Sequence, residues 1–416
     1  MFSAASLIAP FRALRPLPEQ AAAVAAPPYD VLSSSEARAL AAGNPYSFLH
    51  VSKAEIDLPE GSDPYAPEVY ERAATSFARL VRDGILVRDE KPMYYAYRLS
   101  MPWGDGLHVQ TGFAAAASVA AYAAQRIRRH ELTRPEKEDD RVRQIEAVNA
   151  QTGPVLLAYP DCPRADALLA EVTGAPAEVD VTARDGIRHQ LWPIDDDAVL
   201  SALTLAIEAL PALYIADGHH RSAAAARIAA RRHLPGREQA SDRFLAVLFP
   251  QAQMRILDYN RVVTDLAGLG EDGFLDRLNE FWDVLPAATA VKPANAGEVG
   301  LYLPGRWFHL HIRPQYVPDD PVGALDVQLL TDRLLAPILG IADLRRDRRI
   351  DFVGGMRGLG ELKRRVDGGE MAAAFALVPT SMAALMKVAD AGLIMPPKST
   401  WFEPKLADGL VSHVLD

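Results

Sequence analysis

Hydrophobic positions along the chain follow a helical period in some segments and a strand period in others. Residues 67–82 place apolar side chains three and four positions apart, which predicts an amphipathic helix. Residues 93–99 and 107–115 flank a glycine-containing turn and predict a β-hairpin. Residues 244–249 form a continuous apolar run, which is typical of a strand buried on both faces. This mixture predicts an α+β protein with mixed sheets and packed helices.

Several shorter segments add elements to this outline. Residues 47–52 predict a strand, and Ser35 is predicted to cap a helix over residues 36–42. Residues 274–284 and 325–339 predict two further helices. The chain ends with residues 394–405 and a short tail in this interpretation.

Chain length indicates more than one folding unit. A chain of 416 residues is expected to form two or three domains, or two intimately packed halves. No internal repeat or low-complexity linker interrupts it. We predict an N-terminal α+β half over residues 1–250 and a C-terminal α+β half over residues 251–416, tightly packed and meeting near residues 249–260.

The densest chemical pattern is LYIADGHHRSAAAA, which starts at Leu213. An apolar strand ends at Asp217 and Gly218, glycine permits a sharp turn, and an alanine-rich helix follows. Three polar residues open this helix: His219, His220 and Arg221. The start of a helix attracts phosphates and carboxylates through its free N–H groups and its dipole. The alternative is that Asp217 is a simple helix cap and the histidines are exposed polar residues.

A second charged stretch covers residues 126–150. Its capping-box pattern predicts a helix that starts near Arg134. The residues of that pattern are Thr133, Pro135 and Glu136. His130 and Glu131 precede the helix, where either is a candidate general base or metal ligand. The alternative is a solvated surface helix held by salt bridges.

Other segments are candidate anion sites. Residues 354–360 form a glycine-rich turn between a strand and a helix, although neither GxGxxG nor a P-loop is present. Arg345 belongs to a cluster of arginines that is otherwise explained as a solvated basic face. Lys398 and Ser399 follow two prolines, which make a rigid turn that can hold them over a cleft. Trp401 and Lys405 lie close behind them.

A metal site is also compatible with the sequence. Asp217 and one of the two adjacent histidines can supply ligands, with His130 or Glu131 completing the set. A magnesium ion held by Asp217 together with nucleotide phosphates is the preferred version.

Charge and composition exclude several classes. The net charge of −10 and the pI near 5.5 argue against a general nucleic-acid binder. The single cysteine, Cys162, allows no internal disulfide and fits a reducing compartment. No secretion signal and no apolar run of membrane-spanning length is present. We expect a cytoplasmic protein without membrane or nucleic-acid partners. A homo-oligomer is left open.

Six segments together resemble an uncharacterised prokaryotic family, domain-of-unknown-function (DUF) family 1015. They are APPYDV at 26–31, NPYSFLHV at 44–51, RHELT at 129–133, ADGHHR at 216–221, YNR at 259–261 and MPPKST at 395–400. The resemblance covers nearly the whole chain, and the family carries no settled function.

The turn also resembles the phosphate-binding motif of the ParB/sulfiredoxin superfamily. Gly218, Arg221 and Ala224 match its spacing of glycine, arginine and small residue. The resemblance implies a ParB/sulfiredoxin-like strand–turn–helix core. The superfamily includes free-serine kinases, which share an acidic residue and a DGH-type turn. The cysteine of the sulfiredoxins is missing, so sulfiredoxin chemistry is not expected. A basic helix-turn-helix after the motif is also missing, so a role in DNA partition is not expected.

These features predict a nucleotide-dependent phosphotransferase that acts on a small hydroxylated metabolite, with serine suggested by the resemblance and ATP or ADP with Mg²⁺ as cofactor. The phosphate-binding candidates are Gly218, His220, Arg221, Lys398, Ser399 and Arg345. The catalytic candidates are Glu131, Asp217, His219 and His130. Two alternatives stay open: a phosphate-ester hydrolase of the phosphoserine type, and a non-catalytic sensor of a phosphorylated ligand.

Overall fold

The computed structural model describes residues 6–416 and confirms the α+β class. Its strands are β1 (Ile8–Ala9), β2 (Ala13–Pro16), β3 (Leu86–Arg88), β4 (Tyr94–Trp103), β5 (Gly106–Ser118), β6 (Ile127–Arg128), β7 (Ala150–Gln151), β8 (Val155–Tyr159), β9 (Val179–Thr182), β10 (Arg188–Ile194), β11 (Leu213–Asp217), β12 (Arg243–Pro250), β13 (Arg255–Leu257), β14 (Tyr259–Val263), β15 (Trp282–Ala287), β16 (Glu298–Leu303), β17 (Arg306–Ile312), β18 (Ile350–Gly354), β19 (Ala373–Leu377), β20 (Trp401–Glu403) and β21 (Ser412–Val414).

The helices include several of only one turn. They are α1 (Ala21–Val24), α2 (Ser34–Ala41), α3 (Leu49–Ser52), α4 (Pro67–Arg82), α5 (Val119–Ala123), α6 (Pro135–Val148), α7 (Pro163–Val172), α8 (Asp197–Glu208), α9 (His219–Arg232), α10 (Glu271–Leu278), α11 (Asp326–Leu330), α12 (Gly358–Asp367) and α13 (Met382–Asp390).

The described chain divides into two compact units. The first consists of residues 6–254 together with Pro404–Asp416, and the second is Arg255–Glu403. Pro404–Asp416, predicted as part of the C-terminal half, belongs to the first unit because its strand β21 pairs with β2 and β7. A segment that lacks a strong strand pattern thus becomes a sheet component through pairing.

The first unit contains a nine-stranded mixed sheet among the described residues. Its order is β6-β11-β8-β12-β5-β4-β10-β9, with β1 paired to β5. Strand β11 runs parallel to β6 and antiparallel to β8, and the register shifts between Ile215 and Asp217. This irregularity occurs at the end of β11, where the chain turns into α9. A four-stranded sheet, β3-β2-β21-β7, completes the unit.

Apolar side chains at alternate positions of its strands form a core on one face of the large sheet. Leu157, Leu213, Ile215 and Leu248 are fully buried there. A second cluster in the same unit gathers α4 and the short helices, where Phe48 and Phe77 make an edge-on ring contact. The predicted helix 67–82 is confirmed as α4, because its apolar stripe has this cluster to pack against.

The second unit contains a six-stranded sheet, β15-β17-β16-β19-β14-β18, and a pair, β13-β20, within the described residues. Strands β16 and β17 form an antiparallel hairpin around Gly305. Helix α12 packs on the sheet through Leu362 and Val366, which lie in the core of this unit.

Some local predictions were wrong. The predicted strand 47–52 does not form, and its residues Leu49–Ser52 make the helical turn α3, because a short apolar run does not distinguish a strand from a helix. Ser33, and not Ser35, caps α2 through a complete capping box with Glu36. The helix predicted over residues 274–284 ends at Leu278, and the strand β15 follows.

The helix predicted over residues 325–339 is α helical only over Asp326–Leu330 and continues as a π-helix over Thr331–Leu335. Within residues 6–416, no helix is both long and apolar enough to cross a bilayer.

Candidate functional site

The turn between β11 and α9 has the predicted strand–turn–helix form. Gly218 occupies the N-cap position with φ 99°, and no side chain caps the helix. The interpretation of Asp217 as a simple helix cap is therefore wrong. A Cβ atom on Gly218 would lie 3.2 Å from the Arg221 guanidinium and 3.2 Å from Val155 Cα. The position requires glycine for both its conformation and its close packing.

Arg221 is buried and points back under this turn. Its Nη1 donates to the carbonyl of Pro154, and its Nη2 lies 3.4 Å from Asp217 Oδ2 and 3.8 Å from Asp30 Oδ2. Burial opposes the charged form, but Asp217 and Asp30 outweigh burial and raise the pKa of the guanidinium. Arg221 is thus a fixed cation at the start of α9.

Asp217 holds a second cation beside Arg221. Lys405 Nζ lies 3.3 Å from the same Oδ2 atom that Arg221 contacts. Burial favours the neutral acid, yet Lys405 and Arg221 outweigh it and lower the pKa of Asp217 below its ordinary value. An ionised carboxylate shared by two cations is a poor proton acceptor. This arrangement disfavours Asp217 as a general base.

His219 lies between His130 and Glu131. The two imidazole rings meet edge to face with centroids 4.5 Å apart, and His219 Nδ1 lies 3.7 Å from Glu131 Oε2. Burial lowers the pKa of His130 to about 4 and keeps the pKa of His219 well below its ordinary value, so both rings are neutral near pH 7. Glu131 is the exposed member of the group, with 39% of its side chain accessible.

His220 faces away from this group. Its Nε2 accepts a hydrogen bond of 3.0 Å from the backbone N–H of Arg134, the N-cap residue of α6. Burial lowers the pKa of His220, which keeps the ring neutral and able to accept. This contact joins the starts of α6 and α9. The predicted capping box of α6 does not form, since the N-cap residue is Arg134 and its own side chain makes no capping hydrogen bond.

A pocket adjoins Arg221 in the first unit. Its polar lining comes from several separate segments. The polar residues are Tyr29, Ser52, Arg141, Gln144, Gln151, Thr152, Arg221 and Asp408. Ser52 Oγ is buried without a hydrogen-bond partner among the described residues. The pocket therefore combines two guanidinium groups with an unsatisfied hydroxyl.

Arg141 is the second cation of the pocket. Its guanidinium carbon lies 3.7 Å from the centroid of the Tyr29 ring. Asp140 accepts from its Nε at 2.9 Å and from its Nη2 at 2.7 Å. One face of α6 carries the predicted salt bridges, since Arg227 pairs there with Asp139 at 2.6 Å. Another part of the same helix lines the pocket through Arg141.

The family model described as "Protein of unknown function (DUF1015)" matches residues 8–328. The chain belongs to the DUF1015 family. No curated protein matches this DUF1015 member.

Solved structures similar to this DUF1015 protein include a free serine kinase in complex with AMP, at 12% identity and TM-score 0.37, covering 71% of this chain and 92% of the kinase. SbnI with a C-terminal truncation, from Staphylococcus aureus, has 11% identity and TM-score 0.38, covering 72% and 86%. A conserved hypothetical protein from Pyrococcus furiosus has 13% identity and TM-score 0.36, covering 72% and 94%.

The remaining predicted site residues of this DUF1015 protein lie in the second unit. Ser399 is buried, and its Oγ donates to the carbonyl of Pro396 at 2.7 Å. Lys398 is exposed, with Nζ 5.5 Å from the centroid of the Tyr259 ring. Arg345 is exposed, and its backbone N–H donates to Asp343. The hydrogen bond to Pro396 gives Ser399 a structural role within its own turn.

Several residues of the site escape sequence reasoning. Ser52 and Arg141 sit in segments whose patterns indicate other roles, and Asp30 lies in the quoted APPYDV segment without a visible function. Asp408 lies in the C-terminal tail, and the sequence assigns no role to Lys405. Their roles arise from chain segments that meet in space around Arg221.

Replacing Gly218 by alanine tests the turn. We expect a loss of about 1–3 kcal/mol in unfolding free energy, because alanine is strained at φ 99° and its Cβ meets Val155 and Arg221. Gly236→Ala is the matched control, since Gly236 has φ 75° and no atom within 4 Å of its built Cβ. Urea denaturation measures both variants. Equal losses would show that close packing at Gly218 contributes nothing.

The buried acid Asp408 predicts a pH-dependent stability. Burial raises its pKa from 3.8 to about 7, against a smaller opposite effect of Arg221. Between about pH 4 and pH 7 the folded protein therefore binds more protons here than the unfolded chain, so this residue's contribution to stability falls as pH rises. We expect Asp408→Asn to gain at least about 1 kcal/mol relative to the wild type across this range.

Urea denaturation of both proteins at several pH values measures that difference. The other titrating groups are common to the two proteins and cancel in the comparison. A difference that does not change with pH would contradict the prediction.

Proposed function

We propose that this DUF1015 protein is a nucleotide-dependent phosphotransferase that acts on a small hydroxylated metabolite. The observation that carries the proposal is the grouping of Arg221, Lys405 and the Glu131–His219 pair around the Gly218 turn, beside an arginine-lined pocket. Phosphoryl transfer needs positioning and charge stabilisation more than covalent chemistry from the protein, and these groups supply both.

The phosphate-binding end is built by the start of α9. The helix is 14 residues long, and Gly218 leaves the N–H groups of its first turn uncapped by any side chain. Arg221 and Lys405 add two positive charges at the same end, held in place by Asp217. We assign phosphate binding to these two side chains and to the backbone after Gly218.

The proton acceptor is assigned to Glu131. Its carboxylate is accessible, whereas Asp217 is neutralised by two cations and His130 and His219 are buried. His219 Nδ1 lies 3.7 Å from Glu131 Oε2, so we assign His219 the role of a positioning residue for the carboxylate. A substrate hydroxyl next to Glu131 would lose its proton to the carboxylate as its oxygen attacks the terminal phosphorus of the nucleotide. The bond from that phosphorus to the bridging oxygen would break, and the nucleotide would leave with one phosphate fewer.

The nucleotide is assigned to the pocket beside Arg221. Arg141, Arg221 and Ser52 offer donors to phosphate and ribose oxygens. We propose ATP or ADP as the nucleotide, with Mg²⁺ arriving on its phosphates. Both cations contact Asp217 Oδ2, which leaves Oδ1 as the atom through which Asp217 would bind the ion.

Isothermal titration of the full chain with ATP, ADP and CTP, each with Mg²⁺, tests the binding step. Phosphorus NMR of mixtures with ATP and small hydroxylated metabolites then tests transfer, and serine is tried first because of the sequence resemblance. We expect nucleotide binding and a phosphomonoester product. Absence of binding by all three nucleotides would overturn the proposal.

A phosphate-ester hydrolase is the second candidate. It is favoured by the exposure of Glu131, since a water molecule can reach the carboxylate as easily as a metabolite can. Turnover of phosphoserine without nucleotide would favour the hydrolase. Binding of a phosphorylated ligand with a raised melting temperature and no product would identify a sensor instead.

A further inference from the structure

The hairpin β16–β17 in the second unit carries a separate group of ionisable side chains. Glu298 lies directly opposite His311 in the antiparallel register, and His309 lies two residues before His311. Directly opposed residues, and residues two apart on one strand, share a face of the sheet. The register therefore places one carboxylate and two imidazoles side by side.

The three side chains converge closely. One ligand atom from each lies within 4.8 Å of the other two. His309 Nε2 is 3.5 Å from Glu298 Oε2, and the two imidazole centroids are 4.1 Å apart. His309 Nε2 is shielded from solvent and has no hydrogen-bond partner of good geometry among the described residues. This nitrogen is therefore a buried polar atom whose hydrogen-bonding capacity is not used.

Neighbouring groups hold Glu298 in place. Its Oε2 accepts from the backbone N–H of Ala294 at 3.0 Å and of Asn295 at 3.2 Å. Its Oε1 accepts from Asn295 Nδ2 at 2.9 Å. Hydrogen bonds of this kind orient metal-ligating carboxylates in proteins. The carboxylate is thus fixed with respect to the two histidines before any ligand arrives.

We propose that Glu298, His309 and His311 bind a divalent transition-metal ion, with zinc the best match. Two imidazoles and one carboxylate form a ligand set that zinc uses when a fourth position stays open. Ligand atoms about 2.0–2.1 Å from a tetrahedral zinc lie about 3.4 Å apart, close to the 3.5 Å between His309 Nε2 and Glu298 Oε2. The His309 side chain as a whole keeps 30% of its surface exposed, so the group lies near the protein surface.

The proposal is independent of the proposed phosphotransferase activity, because all three ligands belong to β16 and β17. The full chain, stripped with a chelator, is titrated calorimetrically with ZnCl₂, and bound zinc is counted by elemental analysis. We expect one equivalent per chain at this site. Co²⁺ in its place should give the visible absorption of a four-coordinate ion.

Variants connect the metal to these residues. His309→Ala and His311→Ala should each lower zinc affinity by about 100-fold or more, and Asn295→Ala by about 10–100-fold. His233→Ala, at an exposed histidine outside the group, is the matched control and should retain full affinity. Glu298→Gln keeps the side-chain volume and should also lower the affinity for zinc. This variant tests the site even if a histidine variant fails to fold.

His219→Ala separates this site from the histidines of the first unit. Zinc binding that survives both His309→Ala and His311→Ala, or that disappears in His219→Ala alone, would overturn the proposal. So would a wild-type protein that binds no zinc at micromolar concentration.

Discussion

Arg221→Ala is expected to abolish detectable nucleotide binding and to lower the unfolding free energy of the first unit by about 2–4 kcal/mol. Removing one partner of a buried ion pair costs about 3–5 kcal/mol, and we discount this because Asp217 and Asp30 are partly exposed. The buried Asp408 also loses a nearby positive charge. Isothermal titration and urea denaturation measure the two effects.

Arg231→Ala on the same helix is the matched control for Arg221→Ala. Arg231 is exposed and pairs with Glu146 on the surface, so its loss should change stability by no more than about 0.5 kcal/mol and leave binding unchanged. Hydrogen exchange of the α9 amides locates the effect within the chain. A variant Arg221→Ala that binds nucleotide with wild-type affinity would refute the assigned phosphate site.

Glu131→Gln is expected to lower the rate of phosphoryl transfer by about 100- to 10,000-fold while nucleotide affinity stays within about twofold. The physical reason is that glutamine keeps the size and polarity of the side chain but cannot accept the hydroxyl proton. A rate measurement at saturating nucleotide and metabolite isolates the chemical step. The comparison of rate with affinity separates a role in proton transfer from a role in binding.

Glu136→Gln provides the control for Glu131→Gln. Glu136 is an exposed residue in the first turn of α6, and its replacement should leave the rate within about twofold of the wild type. His219→Gln should flatten or shift the pH dependence of the rate if His219 positions Glu131. An undiminished rate in Glu131→Gln would remove Glu131 from the mechanism.

The helices α6 and α9 connect the charged turn with the pocket. His220 receives the N–H of Arg134 at the start of α6, and Arg227 pairs with Asp139 one turn further along. Arg141 projects from α6 into the pocket, and Arg221 reaches it from α9. Helix α6 thus forms salt bridges with α9 on one face and places Arg141 in the pocket on another. A charge run that looks like a solvated surface also positions a buried cation.

Local patterns predicted much of the scaffold. The helix 67–82, the hairpin β4–β5 and the turn at Gly218 depend on periodicity and on turn residues within a few positions of each other. The strand prediction for residues 47–52 was wrong because the apolar run is too short to show a strand or a helical period. The cap of α2 was misplaced because several adjacent serines offer equivalent caps, and only Ser33 has Glu36 three positions ahead.

Local sequence patterns were enough to predict the α+β class and the strand–turn–helix at residues 213–232. They also pointed to the candidates Glu131, Gly218, His219 and Arg221, because each of these predictions depends on short-range chemistry. Only the tertiary structure brought Lys405 to Asp217, from 188 residues away, and Asp408 to the pocket of Arg221. Strand register likewise decided that Glu298 lies opposite His311. Such meetings follow from sheet pairing and core packing between distant segments, and no local pattern encodes them.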